Sequence, residues 1–430
     1  MNLDTIVAPA TPLGRSALAI VRIDGPSANS LLTALTNSAL PLARHAALVQ
    51  IPFDECIAIR YEAPHSFTGN DLVELTLHGN PLLVEQVIAT CVELGARMAE
   101  PGEFTERAVL NGKLDLVQAE SIADLINART ALQAKLSLSN LEGVMSRKAS
   151  AIRQTLLEVI SRLEAALDFS EEGYEFITRS EASARLQTAL QNVSALADTY
   201  RRGRATATGL NAVILGRPNA GKSTLLNRLV GSDRAIVTPI PGTTRDIVRE
   251  TIEIGGLPVT LADTAGLRES SDVVEGMGIS RAREAARTAD LILYLIDASA
   301  GVTAEDRAEL ERFPDALIVY TKADLAPADG LAISAVTDAG MTELLSRLDE
   351  LVRSRFAAPE GALVNERQRQ AVAECEAALH AALDSLAAGV DEQMVLVDLY
   401  SASNALGVLT GVITRDDVFA EIFGKFCIGK

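Results

Sequence analysis

The spacing of apolar residues predicts two kinds of secondary structure in the first half of the chain. Alternation of apolar and polar residues predicts three strands, SALAIVRI (16–23), ECIAIRY (55–61) and DLVELTLH (71–78). A helical spacing follows around 81–94, so residues 1–117 are expected to form an α+β domain. From 118 to 208 apolar residues recur every three or four positions, which predicts a helical domain.

Strands and helices alternate between residues 209 and 355. The predicted strands are NAVIL (211–215), TIEI (251–254), PVTLAD (258–263), DLILYLID (290–297), ALIVYT (316–321) and LAIS (331–334). This rhythm is typical of a doubly wound α/β domain with a mostly parallel sheet. Residues 356–430 are again helical in pattern, so we expect 209–355 to be inserted into one helical domain, with its two ends close together. The chain is therefore predicted to be multidomain.

Composition narrows the class of protein. An apolar content of 48% supports real cores, and the four scattered cysteines form no CxxC pair, which argues against a zinc site or a disulfide framework. No apolar run approaches the ~18–20 residues of a membrane span, and no signal peptide is recognisable, so we expect a cytoplasmic protein with no membrane partner. The net charge of −18 disfavours nucleic-acid binding except at a local basic patch. RRGR (201–204) is a candidate patch, although a solvated linker is the plainer interpretation.

The segment GRPNAGKS (216–223) has the context of a P-loop, because it follows an apolar strand and precedes a helical pattern. Its glycines let backbone N–H groups converge on a phosphate, and the helix N-terminus adds partial positive charge. Lys222 would contact the β- and γ-phosphates, and the Ser223 hydroxyl would bind Mg²⁺. Further residues of the cradle are Asn219, Ala220, Gly221 and Thr224.

Two more segments fall where a GTPase places its phosphate-sensing loops. DTAG (263–266) ends a strand; Asp263 would hold the magnesium shell, and the N–H of Gly266 would contact the γ-phosphate. PGTTRD (241–246) lies between this segment and the P-loop, and its Thr244 would complete the magnesium shell. Neighbouring residues expected at the nucleotide are Thr238, Pro239, Ile240, Pro241, Gly242, Thr243, Thr264 and Ala265.

The segment TKAD (321–324) predicts the choice of base. Asp324 can accept two hydrogen bonds from N1–H and the 2-amino group of guanine, a donor pair that adenine lacks, so the expected substrate is GTP. Thr321, Lys322 and Ala323 complete this motif. Backbone N–H groups of SAV, which is Ser334, Ala335 and Val336, would bind the guanine carbonyl.

The nucleotide motifs depart from the usual GTPase pattern at two positions. Thr321 replaces the usual Asn, which shortens the reach of that side chain and puts nucleotide affinity in doubt, though not the choice of guanine. Leu267 follows DTAG where Ras-like proteins carry a water-orienting glutamine. Leucine cannot orient water, so hydrolysis needs another group and another source of positive charge.

With these departures the chain resembles the MnmE (TrmE) family of tRNA-modification GTPases, in the TrmE-Era-EngA-like superfamily. The resemblance rests on the nucleotide motifs and on TIVAPAT (5–11), SFTGNDLVEL (66–75), PGEFTERAVLNGKLDLVQAE (101–120) and the terminal FCIGK (426–430). It implies a homodimer with an N-terminal folate-binding domain, a helical domain and an inserted GTPase domain. It also implies that the chain works with the flavoprotein MnmG on C5 of the wobble uridine of tRNA, with 5-formyltetrahydrofolate or a related folate as one-carbon donor.

The resemblance also addresses the missing glutamine. It implies that K⁺ stimulates hydrolysis, with potassium ligands Asn219, Thr238, Ile240 and Thr243. It also implies that Glu275 activates the attacking water, with Lys222 and Asp263 as the other catalytic residues. An ordinary loop residue is the alternative interpretation of Asn219. From the residues alone, the plainer interpretation of Glu275 is a glutamate favoured by a helix N-terminus.

A folate site is implied for four residues, Arg22, Glu74, Lys113 and Lys430. Strand alternation alone favours a structural salt bridge for Arg22 and Glu74, because a charge within an apolar strand is costly unless paired. The terminal FCIGK does not fit a prenylation signal, and the apolar pattern before it predicts a tail packed on the helical domain. Cys427 is either a nucleophile or a small buried hydrophobe. A non-catalytic GTP switch or scaffold in ribosome assembly remains the alternative function.

Overall fold

A computed structural model describes residues 4–169, 176–232, 234–236, 249–262, 283–412, 422–424, 426 and 428–429. The chain forms two compact units. Unit 1 comprises Met1–Ala123, Leu141–Leu157 and Tyr400–Lys430, and unit 2 comprises Asp124–Asn140 and Glu158–Leu399.

The described part of unit 1 is built on a six-stranded sheet. Its strands are β1 (Ile6–Pro9), β2 (Leu18–Asp24), β3 (Ala47–Gln50), β4 (Glu55–Tyr61), β5 (Leu72–His78) and β6 (Arg97–Met98). They follow the order β3-β4-β5-β2-β1-β6, with β6 parallel to β1 and the other neighbours antiparallel. The alternation of apolar residues in the three predicted strands therefore corresponds to real strands, each within two residues of its predicted ends.

One face of this sheet packs against two helices, α1 (Ala28–Thr36) and α2 (Pro81–Glu93). The sequence pattern predicted α2 but not α1, although Ala28, Leu31, Leu32 and Leu35 are buried at helical spacing. A third helix, α3 (Glu103–Leu110), was not predicted either. It begins after Gly102, which has φ +74° and leaves no room for a Cβ beside the backbone of Phe423.

The helical region begins with α4 (Leu116–Asn127), α5 (Ala131–Leu141) and α6 (Val144–Asp168). Within unit 1, Ile422, Phe423 and Phe426 of the tail are buried against Leu116, Ala119 and Ile122 of α4. The described tail residues thus pack on the helical region, as the sequence pattern predicted.

Unit 2 contains a five-stranded sheet in the order β11-β10-β7-β9-β8. The strands are β7 (Leu210–Gly216), β8 (Arg249–Ile254), β9 (Leu257–Ala262), β10 (Leu291–Asp297) and β11 (Leu317–Thr321). All neighbours are parallel except the edge strand β8. The predicted strand LAIS forms only a single bridge, Tyr320 to Ala332, because the chain turns at once through a hydrogen bond from Ser334 N to Ala339 O.

Helices cover both faces of this sheet. Along β7, Ala212 and Ile214 face a core shared with α9 (Lys222–Val230) and α11 (Met341–Phe356). The alternate residues Val213 and Leu215 face a second core that includes Leu310 of α10 (Ala304–Arg312). This two-sided burial explains the continuous apolar runs of the strands and confirms the mostly parallel α/β fold class.

The further helices among the described residues are α7 (Arg179–Ala197), α8 (Tyr200–Thr208), α12 (Glu366–Ala387) and α13 (Glu392–Thr410). The two ends of the α/β segment meet here. Thr206 Oγ1 donates to Phe356 O at 3.2 Å and accepts from Ala358 N at 3.1 Å. This proximity supports the predicted insertion, while the domain boundaries 1–117, 118–208, 209–355 and 356–430 stay a prediction.

The basic run RRGR lies within α8 and is not a linker. The Arg201 guanidinium lies 5.9 Å from the centre of the Phe356 ring, and Arg202 Nε donates to Ala357 O at 2.7 Å. These two arginines therefore contact the end of α11. Among the described residues, no helix has the length and apolar character that a bilayer crossing requires.

Candidate functional site

The loop after β7 is shaped by residues in unusual backbone conformations. Asn219 and Gly221 have φ of +62° and +87°, and Gly221 immediately precedes the first turn of α9. Gly216 has φ +142°, and a Cβ there would lie 2.5 Å from Leu295 O, so no side chain fits. The loop thus wraps tightly over the N-terminus of a helix, which is the arrangement that binds a phosphate.

Lys222 folds back over this loop. Its ammonium donates to Gly216 O at 2.7 Å and to Arg217 O at 2.8 Å. The positive charge therefore lies at the mouth of the loop, where phosphate oxygens would replace these carbonyls as partners. Ser223 and Thr224 are exposed in the first turn of α9, and Asn219 is exposed at the crest of the loop.

Thr321, at the end of β11, is joined directly to the P-loop. Its buried hydroxyl lies 2.8 Å from Ala220 O and 3.3 Å from Ile296 O. The shorter side chain therefore still links the base-reading segment to the phosphate loop. Since a hydroxyl has a single hydrogen, one carbonyl receives it at a time.

Lys322 follows with φ +58°, and its ammonium forms an ion pair with Asp297 at 2.5 Å. Burial acts to raise the pKa of Asp297, but hydrogen bonds from Lys322 and Ser299 outweigh it and lower the pKa. Asp297 therefore stays ionised and fixes the lysine stem beside the loop.

The two predicted guanine segments meet in the fold. Ala323 N donates to Ile333 O at 3.0 Å, which brings TKAD beside SAV. Ser334 is buried, and its hydroxyl accepts from Thr337 N at 3.2 Å. Asp324 is exposed at the same edge, where it is accessible to a base. Phosphate loop and base reader thus lie on one side of the sheet, at the strand C-termini.

Several predicted site residues lie outside the described residues, and their roles stay predictions. They are Thr238, Pro239, Ile240, Pro241, Gly242, Thr243, Thr244, Asp263, Thr264, Ala265, Gly266, Glu275, Cys427 and Lys430. Of the predicted magnesium ligands the structure describes Ser223, and of the predicted potassium ligands it describes Asn219.

A second cluster lies in unit 1, on the sheet face opposite α1 and α2. Arg22 of β2 and Glu74 of β5 are directly opposite in the register. Nε and Nη2 of Arg22 donate to Glu74 Oε1 at 3.0 and 2.6 Å, and both side chains are partly exposed. Arg22 Nη1 also donates to Gly429 O at 3.2 Å, so the chain's last described residue lies at this ion pair.

The tail reaches the ion pair through a close backbone approach. Gly429 has φ +93°, and a Cβ there would lie 2.0 Å from Pro9 O. Lys113 joins the same surface, since its ammonium donates to Pro64 O at 3.0 Å, in the segment that leads to Phe67. The Phe67 ring centre lies 5.5 Å from the Arg22 guanidinium. The structure thus connects Arg22, Glu74 and Lys113 to one surface.

Two aromatic residues of this surface, Phe67 and Tyr61, were not predicted from the sequence. Phe67 is more than a third exposed, and its signal was its place within SFTGN. Burial, and then the negative charge of Glu74, raises the pKa of Tyr61, which places that phenol beside the carboxylate.

The three thiols among the described residues have raised pKa values, which makes them poor nucleophiles. Burial raises the pKa of Cys56 to about 11 and that of Cys91 and Cys375 to about 12. Since the thiolate is the reactive form, none of these three suits a nucleophile.

Comparisons with known proteins cover the whole chain. Residues 5–113 match a family model described as GTP-binding protein TrmE N-terminus, and residues 116–427 match one described as MnmE helical domain. A tRNA modification GTPase MnmE from Koribacter versatilis is 42% identical over 100% of both chains. The protein of that name from Thiobacillus denitrificans is 42% identical over 99% of this chain and 98% of its own. The one from Aquifex aeolicus is 37% identical over 99% and 100%.

Among solved structures, Aquifex aeolicus Era Y63A bound to GDP.AlF4- is 28% identical over 39% of this chain and 66% of its own. Its TM-score is 0.27, at which the overlay supports no inference.

Proposed function

The chain belongs to the MnmE (TrmE) family of tRNA modification GTPases, and from this premise we propose how its residues divide the work. It is a GTP hydrolase, forming GDP and phosphate, that acts in tRNA modification. The observation that best supports this is the hydrogen bond from Thr321 to Ala220, because it joins the base reader to the phosphate loop in one site.

Binding of GTP follows from the described residues. The N-terminus of α9 and the Lys222 ammonium would stabilise the β- and γ-phosphates, and Asp324 would select guanine. GTP hydrolysis in this family uses Mg²⁺, for which we propose Ser223 and Thr244 as protein ligands with Asp263 behind the shell. Ser223 fits, since its hydroxyl lies in the exposed first turn of the helix.

For hydrolysis we propose Glu275 as the residue that orients the attacking water, since Leu267 cannot. We further propose K⁺ stimulation through Asn219, Thr238, Ile240 and Thr243. Asn219 fits this role in two respects: it is exposed on the phosphate loop, and its amide oxygen suits a hard cation. Bound K⁺ would supply positive charge that offsets the charge growing on the phosphate in the transition state.

For the one-carbon unit we propose 5-formyltetrahydrofolate, bound at Arg22, Glu74, Lys113 and Lys430. The contact of Gly429 O with Arg22 supports this proposal, since Gly429 immediately precedes Lys430 in the sequence. A carboxylate suits the ring N–H and amino donors of a pterin, and the guanidinium and ammonium suit its carboxylates.

We propose a homodimer that uses the same sheet face. Leu18, Leu48 and Ile57 are 60%, 69% and 42% exposed there, and Leu48 pairs with Ile57 across β3 and β4. Neighbouring apolar side chains of this exposure are typical of a surface that a partner covers. We propose MnmG as a further partner in the modification of the wobble uridine, which would share the binding of tRNA with this acidic chain.

One set of assays tests these proposals on the purified full-length chain. Phosphate release should be detected from GTP and not from ATP, faster in KCl than in NaCl, and 5-formyltetrahydrofolate should bind in equilibrium dialysis. Release from ATP at the GTP rate would refute the nucleotide assignment. Equal rates in the two salts would refute the potassium proposal, and no folate binding would refute the folate proposal.

A further inference from the structure

The carboxylate of Asp24 is fully buried beside the folate surface, on the same strand as Arg22. The Thr68 hydroxyl donates to its Oδ2, Asn70 Nδ2 donates to its Oδ1 at 3.0 Å, and Arg107 Nη1 donates to its Oδ1 at 3.1 Å. One side chain thus joins strand β2, the loop of residues 66–70 and helix α3. A buried carboxylate with three donors is strongly held in place.

Helix α3 is itself anchored at this point. Arg107 is buried, and it donates to Asp4 O at 3.0 Å, to Asp4 Oδ1 at 2.8 Å and to Glu103 Oε1 at 2.9 Å. Glu103 in turn accepts from both terminal nitrogens of Arg97. Arg107 is fixed on several sides, so Asp24 ties the 66–70 loop to a helix that is itself held by ion pairs.

The 66–70 loop and helix α3, which Asp24 joins, each carry an aromatic ring beside Arg22. The Arg22 guanidinium lies 5.5 Å from the ring centre of Phe67 in the 66–70 loop and 5.5 Å from that of Phe104 in α3. Phe104 is fully buried, whereas Phe67 is 37% exposed. The distance between the Phe67 and Phe104 rings depends on how the 66–70 loop is held against α3. Because the Arg22 guanidinium contacts both rings, its position depends on the same contact.

The same loop also sets the position of Lys113. A Cβ on Gly69 would lie 3.0 Å from Asn111 Cβ and 3.2 Å from Lys113 Cγ, so the loop backbone packs directly on the lysine stem. Asn111 Nδ2 donates to Thr68 O at 2.7 Å, and Lys113 Nζ donates to Pro64 O at 3.0 Å. A shift of the 66–70 loop would therefore move Lys113 through Gly69 as well as the Phe67 ring beside Arg22.

We propose that Asp24 is a positioning residue: by tying Thr68 and Asn70 to Arg107 it holds Phe67 against Arg22 and so preforms the folate site. This inference rests on the folate binding proposed above. Asp24 and Thr68 contact no ligand in this account. They act through Phe67, whose exposed ring face becomes part of the site.

The test uses the full-length chain and equilibrium dialysis with 5-formyltetrahydrofolate. Thr68→Val removes the hydroxyl donor at nearly constant volume, and Thr68→Ser retains it. We expect Thr68→Val to raise the dissociation constant about tenfold, the size of one lost charge-assisted hydrogen bond, and Thr68→Ser to bind like the wild type. The matched control is Thr36→Val, which removes a hydroxyl bonded to Leu32 O in α1 and should leave binding unchanged.

A double-mutant cycle separates positioning from general loosening of the domain. If Asp24 acts through Phe67, Thr68→Val should cost little further affinity in a Phe67→Ala background. Wild-type affinity for Thr68→Val, equal losses in Thr68→Val and Thr36→Val, or additive losses in the double variant would each overturn the inference while leaving folate binding intact. Absence of binding by the wild type would overturn the folate proposal and this inference with it.

If Thr68→Val does not fold, Asn70→Ala replaces it in the cycle, since Asn70 is partly exposed and its amide is the other donor from the loop to Asp24. It should weaken folate binding in the wild-type background and much less in the Phe67→Ala background. Wild-type affinity for Asn70→Ala would overturn the inference.

Discussion

In unit 2 the described candidate nucleotide-binding residues lie in short loops that each follow a parallel strand of one sheet. The P-loop follows β7, and the segment beginning at Thr321 follows β11. In unit 1 the candidate folate residues come from two antiparallel strands, the turn after α3 and the tail; Arg22 and its tail contact Gly429 are 407 residues apart. The first site is therefore formed by short contiguous sequence motifs, whereas the second depends on contacts between residues far apart in the sequence.

This difference has a consequence for how each site should respond to substitution. In the candidate nucleotide site, single side chains would contact the ligand from loops held by backbone geometry, so a change should affect one recognition step. At the candidate folate surface the side chains hold each other in place, since Arg22 contacts Glu74, Phe67, Phe104 and Gly429. A change to any of them should affect the whole site.

The largest effect is expected from Asp324→Asn, which keeps the size of an exposed side chain. The amide presents a donor where guanine has an amino group, so GTP affinity should fall on the order of a thousandfold, while xanthosine triphosphate, with a carbonyl there, should bind. The two affinities are measured by titration with a fluorescent GTP analogue, followed by competition with GTP and with xanthosine triphosphate. Asp329→Asn, at a nearby exposed position, is the control; unchanged GTP affinity in Asp324→Asn would remove the basis of guanine selection.

A smaller effect is expected from Glu74→Gln. The neutral amide leaves the Arg22 guanidinium without its charged partner, so affinity for 5-formyltetrahydrofolate should fall about 10- to 100-fold while GTP affinity stays constant. The control is Glu62→Gln, which breaks the more exposed pair with Arg60 in the same domain. A lower melting temperature together with wild-type folate affinity would identify the Arg22–Glu74 pair as purely structural.

Thr321→Val tests the link between the two nucleotide loops. It removes the hydroxyl that contacts Ala220 O and leaves that buried carbonyl without the bond, so the dissociation constant for GTP should rise about fivefold, with Thr321→Ser close to the wild type. The preference for GTP over ATP should not change, because Asp324 is intact. Stopped-flow measurement of nucleotide dissociation checks both statements, and loss of the preference would contradict this division of roles.

The smallest effect is expected from Gly429→Ala. The added methyl group would collide with Pro9 O and displace the end of the tail from Arg22, so folate affinity should fall about threefold without a change in GTP binding. Gly95→Ala is the matched control, since Gly95 also has positive φ (+101°) but no atom within 4 Å of the added Cβ. Equal affinities of the two variants would mean that the tail does not contribute to the site.

The strands of the α/β unit were predictable because burial on both faces gives continuous apolar runs, and the described nucleotide residues were predictable from motifs that immediately follow them. LAIS was not correctly predicted, since a run of three apolar residues does not reveal that the chain turns after one bridge. In unit 1, α1 was not predicted, although its apolar residues Leu31, Leu32 and Leu35 recur at the spacing of a helix.

The contacts that hold the candidate folate surface together were harder to predict from the sequence. The pairing of Arg22 with Glu74 followed from strand alternation, as a salt bridge within apolar strands. Asp24 and Arg107 are 83 residues apart, and neither lies in a pattern that predicts its partner. Only the sheet register and the position of α3 bring them together.

One measurement tests the central claim that GTP recognition by this chain serves tRNA modification. Cells lacking the chain are complemented with the wild type or with Asp324→Asn, and the modified wobble uridines of their tRNA are quantified by mass spectrometry. We predict that the wild type restores the C5 modification and that Asp324→Asn, expressed at the same level, does not. Full restoration by Asp324→Asn, or no dependence of the modification on the chain at all, would contradict the account.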